Sequence, residues 1–200
     1  MFNPSFEQAY LSQSVKSIEY EDLYFYQVMN VGAGSNIQHL ISNGIAGIKN
    51  VLVIPFYDKA STVQQGLDPL QSPFDTCGGG GTSPMAFLNN WNIVVSGQPA
   101  LYQAERYNFS NFLHNLNGIN SINGSQTEGI SSGVISQHDF QNSYCYHYVN
   151  VERMLPVEKT VPKSISITGT NATEHTLNLY IFVSYSAELA LDVLSGSRIS

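Results

Sequence analysis

The strongest constraint in this chain is a two-residue hydrophobic period that recurs along much of its length. Side chains on an extended backbone point alternately to opposite faces, so a half-buried strand must alternate, whereas a helix repeats every three or four residues. Between residues 177 and 185, Leu177, Leu179, Ile181, Val183 and Tyr185 share one face, while Asn178, Tyr180, Phe182 and Ser184 share the other. The second face is only partly polar, so partial cover is expected. Ile165 and Ile167 alternate with Ser164, Ser166 and Thr168, which predicts a strand with both isoleucines turned to the core. Leu189, Leu191 and Val193 alternate with Glu188, Ala190 and Asp192, giving a last strand before Ser195-Gly196 ends the pattern. Tyr144, Tyr146 and Tyr148 alternate with Cys145, His147 and Val149. Residues 51 to 56 form a continuous apolar run with Pro55 near its exit, as in a buried strand that then leaves the ladder. Residues 18 to 26 are Tyr-rich and read as a strand at a sheet edge. Residues 92 to 95 and 98 to 102 flank Ser96-Gly97 and read as a hairpin.

One segment breaks the period. Phe109, Phe112, Leu113 and Leu116 stand at i, i+3, i+4 and i+7, the spacing of one helical face, and Asn117-Gly118 supplies a stop. The polar stretch 117 to 133 and the stretch 57 to 85, which holds Pro69, Pro73, Pro84 and the glycine run 78 to 81, read as long loops. About eight strands with long loops at a few connections predict an all-β fold, a two-sheet jelly-roll sandwich with one short helix. The 200 residues show no repeat and no dividing linker, so one domain is expected over 1–200, with 1–14 as an N-terminal arm or linker.

Charge and composition exclude several classes. Eight Lys and Arg stand against fifteen Asp and Glu, a net charge of -7, with no basic run to neutralise a phosphate backbone, so direct nucleic-acid binding is not expected. The first residues lack the basic start and apolar run of a signal peptide, and no stretch of about 18 apolar residues is present. The chain is therefore expected to be made inside a cell, not secreted and not inserted in a membrane. Cys77 and Cys145 are expected to be separate reduced thiols, with a single disulfide between them as the lesser alternative. The sequons at Asn108, Asn123 and Asn171 carry no weight without secretion.

No catalytic constellation emerges. The glycine run is followed by Thr82-Ser83-Pro84 and not by the Lys that a phosphate loop requires, so it reads as flexible chain. Cys145, His147 and nearby His138 lack the paired spacing of a zinc site, and the plain reading is a buried Cys and a hydrogen-bonded His. Glu19 and Glu21 can share a strand face, with Asp22 opposite, but edge carboxylates more commonly keep sheets from aggregating than cleave glycosides. The Tyr stripe favours a protein interface over a sugar groove. No catalytic, cofactor or metal residue is assigned.

The stretches Gln71-Ser72-Pro73-Phe74-Asp75, Thr82-Ser83-Pro84 and Leu88-Asn89-Asn90-Trp91-Asn92-Ile93-Val94-Val95-Ser96-Gly97-Gln98 occur in an order that resembles the double-jelly-roll major capsid proteins of Polinton/Maverick elements and adintoviruses. Tyr107-Asn108-Phe109-Ser110-Asn111-Phe112-Leu113, Ser132-Gly133-Val134-Ile135-Ser136, residues 153 to 162 and Tyr185-Ser186-Ala187-Glu188-Leu189-Ala190-Leu191-Asp192-Val193 continue it. The resemblance spans roughly residues 15 to 194 and is to the C-terminal of the two jelly rolls. It implies an eight-stranded sandwich, a hexon-like pseudo-hexagonal trimer that tiles an icosahedral shell, a location in the virion, and a second jelly roll as partner. It supplies no catalytic residues. The low charged fraction, 12% of the chain, suits broad subunit contacts, since buried unpaired charges are costly. Phe74, flanked by Pro73 and Asp75, is expected to make such a contact from its loop. The rival readings are a carbohydrate- or receptor-binding module that stacks sugars on Trp91 and the Tyr stripe, and a cupin-like metal enzyme.

Overall fold

The computed structural model describes residues 12–58, 88–101, 107–120, 145–152, 161–192 and 198–199, with Ser5, Gln8, Ser136, Gln137 and Phe140. Its elements are β1 (Val15–Val31), β2 (Asn36–Ile45), β3 (Ile48–Tyr57), β4 (Leu88–Val95), β5 (Gln98–Pro99), α1 (Phe109–Asn120), β6 (His147–Asn150), β7 (Lys163–Asn171), β8 (Leu177–Asp192) and β9 (Arg198–Ile199). The two C-terminal strands expected at 177 and at 189 are one element. Ala187, Leu189 and Leu191 continue the phase of Leu177 to Tyr185, so nothing interrupts the pleat, and β1 pairs along it from Val31↔Leu177 to Val15↔Asp192.

Pairing is nested. β1 pairs with β8, β2 with β7, β3 with β6 and β4 with β5, all antiparallel. That is one long hairpin rolled over on itself, and the roll also brings β3 against β8 and β4 against β7. Two sheets result, β1-β8-β3-β6 with β9 on β8, and β2-β7-β4-β5. Strands β1 to β8 form a jelly roll, the fold expected from about eight strands with long loops at a few connections. Between the sheets lie Val51, Val53, Leu179, Ile181 and Val183 from one side and Ile37, Ile93, Ile165 and Ile167 from the other, all buried. Each such side chain contributes about 1.5–3 kcal/mol by leaving water. Among the described residues the buried polar side chains are Asn92, His147, Asn171 and Asn178, with no carboxylate, Lys or Arg.

Irregular points have local causes. β2 was not predicted, because its buried residues Ile37, Ile41 and Ile45 are four apart. His39 and Asn43 stand between them, polar and exposed, so no two-residue alternation is visible, and the pairing with β7 shifts register after Leu40 and after Ser42. Asn30, at the β1 bulge, takes a positive φ of 59°, and its displaced N–H donates to Asn178 Oδ1 at 2.9 Å. In β4, a shift between Asn89 and Asn92 with Asn90 at φ 49° turns Trp91 into the core. Gly169 faces that bulge, and a Cβ there would lie 3.3 Å from Trp91 Cα. Ser96 and Gly97 both have positive φ, 49° and 81°, the type I′ geometry that matches strand twist in a two-residue hairpin. The Asn92 side chain then bonds both the N–H and the C=O of Leu101, each at 2.9 Å, and so continues the strand pattern past β5.

The predicted helix forms with Asn108 as its cap, its Oδ1 accepting from Asn111 N–H at 3.0 Å. It runs through Asn117-Gly118 to Asn120, beyond the expected stop. A glycine ends a helix by entering the left-handed region, and Gly118 does not do so. Phe112 is buried and meets Phe140 at 5.2 Å, while α1 packs on β6.

Candidate interaction surface

The edge of the five-stranded sheet is built by β1. β8 flanks it on one side, and no strand flanks it on the other among the described residues. Of the eight large hydrophobic side chains that stand exposed among those residues, Val15, Ile18, Tyr20, Leu23, Phe25 and Met29 lie on β1; the others are Leu40 and Val161. Leu23 is 63% and Phe25 44% accessible. A long edge strand with this cover invites pairing, and proteins that avoid it shorten or charge the edge.

The odd positions of β1 share the outer face of the sheet with the even positions of β8. Phe25 packs on Phe182 at 5.1 Å and on Tyr180 at 6.1 Å, and Phe56 of β3 meets Tyr180 edge-on at 5.4 Å. Leu52 and Ile54 fall in register beside Phe182 and Tyr180. This is the partly covered face expected from the sequence, and its rings cover one another while Leu23 and Phe25 form an open rim. Beyond Tyr185, β8 has no β3 neighbour, so β1 and β8 continue as a ribbon edged by β9. Seven residues of it, 186 to 192, extend about 20 Å. On the ribbon Ile18 stands opposite Leu189 and Tyr20 opposite Ala187.

Glu21, Asp22 and Glu188 along this edge have local partners. Glu21 shares the outer face with Glu19 and pairs with Lys49 of β3 across β8. Asp22 accepts from Tyr185 Oη–H at 3.1 Å and from Leu23 N–H at 2.8 Å, and Ser17 donates to Glu188. Glu21 is thus held by a cation on the sheet surface, as the edge-charge reading of these carboxylates expects.

Other sequence candidates fall differently. Phe74, Pro73 and Asp75 lie outside the described residues, as do Cys77, His138, Tyr144 and the glycine run. Trp91 is fully buried and cannot stack on a sugar. Tyr148 is buried too, and burial, with Glu152 and Glu21 adding to it, pushes its hydroxyl pKa up to about 12. Asn171, the third sequon, is fully buried with its amide engaged. Among the described residues no three His, Cys, Asp or Glu side chains gather as metal ligands, and no helix is long and apolar enough to cross a membrane.

His147 differs from its expected state. Cys145 is buried as predicted, and His147 beside it is buried too, but neither of its ring nitrogens has a well-formed hydrogen bond. Its ring lies 5.1 Å from Trp91 of the opposite sheet and 5.1 Å from Tyr107, which itself meets Trp91 at 4.9 Å. Burial lowers the imidazole pKa to about 3; the Cys145 carbonyl opposes this but is not placed to accept a good hydrogen bond. The Tyr107 hydroxyl accepts from Tyr148 N–H at 3.1 Å and donates to Tyr148 C=O, closing the outer edge of β6. Burial is the main cause holding that hydroxyl protonated at all ordinary pH. Neither the lone His nor the lone Tyr announces this three-ring contact in the sequence, because the partners are 16 to 56 residues apart.

No family model and no curated protein matches the chain. Among solved structures it is similar to a chain of the Sputnik virophage, solved at 3.5 Å by cryo-electron microscopy, with 12% identity and a TM-score of 0.43 over 94% of this chain and 39% of that one. It is also similar to the mavirus major capsid protein, with 10% identity and a TM-score of 0.41 over 94% of this chain and 41% of that one. The chain thus spans about two fifths of each solved chain.

Proposed function

We propose that this chain is a shell brick: one jelly roll of a viral major capsid protein, working by self-association and not by catalysis. The observation that carries the reading is the concentration of exposed apolar side chains on the edge strand β1, which among the described residues has no strand on its outer side and so presents a surface that asks for a neighbour along its length. The ordered likeness of its motifs to double-jelly-roll capsid proteins supports the same reading. In that setting the neighbour is a second jelly roll, three such pairs make a pseudo-hexagonal hexon-like capsomer, and capsomers tile an icosahedral shell in the virion. Individually weak contacts suffice there, since each brick is held by several at once. Phe74, with Pro73 and Asp75, supplies a further subunit contact from its loop.

Light scattering on the full chain, alone and mixed with its neighbouring jelly-roll chain, tests this. Wild type is expected to gain mass with concentration, and the double variant Ile18→Lys/Leu23→Lys to stay monomeric. Both side chains are exposed, so melting should hold within about 0.5 kcal/mol per substitution. A wild type that remains monomeric under both conditions, or that binds a glycan as a monomer, overturns the reading. Phe74→Ala is expected to weaken association while leaving melting nearly unchanged; a large loss of monomer stability would place Phe74 in the core instead.

A further inference from the structure

We propose that His147, enclosed by Trp91 and Tyr107 where the two sheets meet, is an acid-sensitive latch whose protonation loosens β6 and α1 from the roll. Neutral imidazole is tolerated between the rings. Imidazolium carries two N–H donors and a charge, and among the described residues this pocket offers one poorly placed acceptor, the Cys145 carbonyl, and no counter-charge. From β4 the ring meets Trp91, whose own Nε1–H has no partner. From the segment entering α1 it meets Tyr107, whose hydroxyl is engaged with Tyr148. Along its own chain Cys145 is buried next to it, across the sheet it faces Val53, and α1 turns His114 to solvent. Among the described residues no carboxylate contributes to its environment. Aromatic faces attract a cation, but too weakly to replace lost hydration.

Opening follows from the same contacts. A charged His147 must reach water, which separates Trp91 from Tyr107 and withdraws the hydroxyl that closes the edge of β6. The segment most easily released is therefore β6 with α1, while the β1-β8-β3 pairing is untouched. The sign is set by linkage: the folded pKa is depressed to about 3 from 6.5, so the unfolded or opened chain binds more protons. The stabilisation is complete above pH 6.5 and is lost progressively as pH falls from 6.5 toward 3. Nothing in the latch depends on self-association, so it stands or falls separately from the shell reading.

Trp91 is the single tryptophan and sits in the latch, so its fluorescence reports opening directly. Urea unfolding of the full chain at pH 7 and pH 5 is compared with His147→Phe, which keeps an aromatic ring but cannot take up a proton. Between these pH values the wild-type opening constant should rise about 20- to 30-fold more than that of the variant. Equal acid sensitivity in the two proteins overturns the proposal. Should His147→Phe not fold, amide exchange in the wild type decides. A rise in β6 relative to β8 at pH 5 supports the latch, while parallel changes, or an imidazole that titrates near 6.5 in the folded chain, overturn it.

Discussion

Replacing Asn171 by Asp is expected to destabilise the protein by about 3–5 kcal/mol, as breaking a buried polar network does. Asn171 ends β7 and is fully buried. Its Nδ2 lies 3.1 Å from the carbonyl oxygen of Val31, 3.0 Å from that of Gly32 and 2.8 Å from that of His175. Its Oδ1 accepts from the N–H and hydroxyl of Thr173 at 2.9 and 2.8 Å, and its backbone N–H and C=O bond Ser35 and Gly34 at 3.0 and 3.1 Å. One side chain thus ties the β1–β2 turn to the β7–β8 turn. An Asp keeps the acceptor but turns a carboxylate oxygen toward three carbonyls, with no donor left to satisfy them. Because a domain of this kind is stable by only about 5–15 kcal/mol, the loss consumes a large share of that margin. Urea unfolding at neutral pH measures it, and a loss below about 1 kcal/mol would mean the turns hold without the amide.

The same residue shows where a sequence stops being informative. Asn-Ala-Thr at 171 to 173 matches a sequon by local pattern, yet the amide's role depends on residues about 140 positions earlier. Alternation states which residues face inward, and it placed Ile165, Ile167 and Leu177 to Val183 in the core, along with the hairpin at Ser96-Gly97 and the amphipathic helix. It does not state which strands become neighbours. The nested pairing of β1 with β8 comes only from the family resemblance or from the fold itself. β2 escaped because the positions between Ile37, Ile41 and Ile45 that share their phase are the polar, exposed His39 and Asn43. The burial of Trp91, which rules out its part in the rival sugar-binding reading, is not legible either, because the Asn90 bulge that turns it inward leaves no regular period to read. The edge role of β1 was legible from its tyrosines, but its exposed Leu23 and Phe25 were not, since exposure on an edge depends on what fails to lie beside it.

Ile167→Asp tests the inward phase on which that core rests, and the expected result is loss of the fold. Ile167 is fully buried at the centre of the four-stranded sheet, opposite His39 of β2 and Ile93 of β4. The substitution removes an apolar side chain worth about 2 kcal/mol and puts a carboxylate where desolvation costs several kcal/mol more. Ser166, one residue earlier, points to the other face and is half-buried. Ser166→Asp should therefore change stability by no more than about 1 kcal/mol, because surface changes rarely exceed that. The contrast is the decisive quantity, since both substitutions leave the backbone and the strand propensity of neighbouring residues alike. Circular dichroism and urea unfolding of the pair read it. If Ser166→Asp unfolds the chain and Ile167→Asp does not, β7 lies one residue out of register. Every residue assigned to its inner face would then belong to its outer one, because a strand alternates with period two.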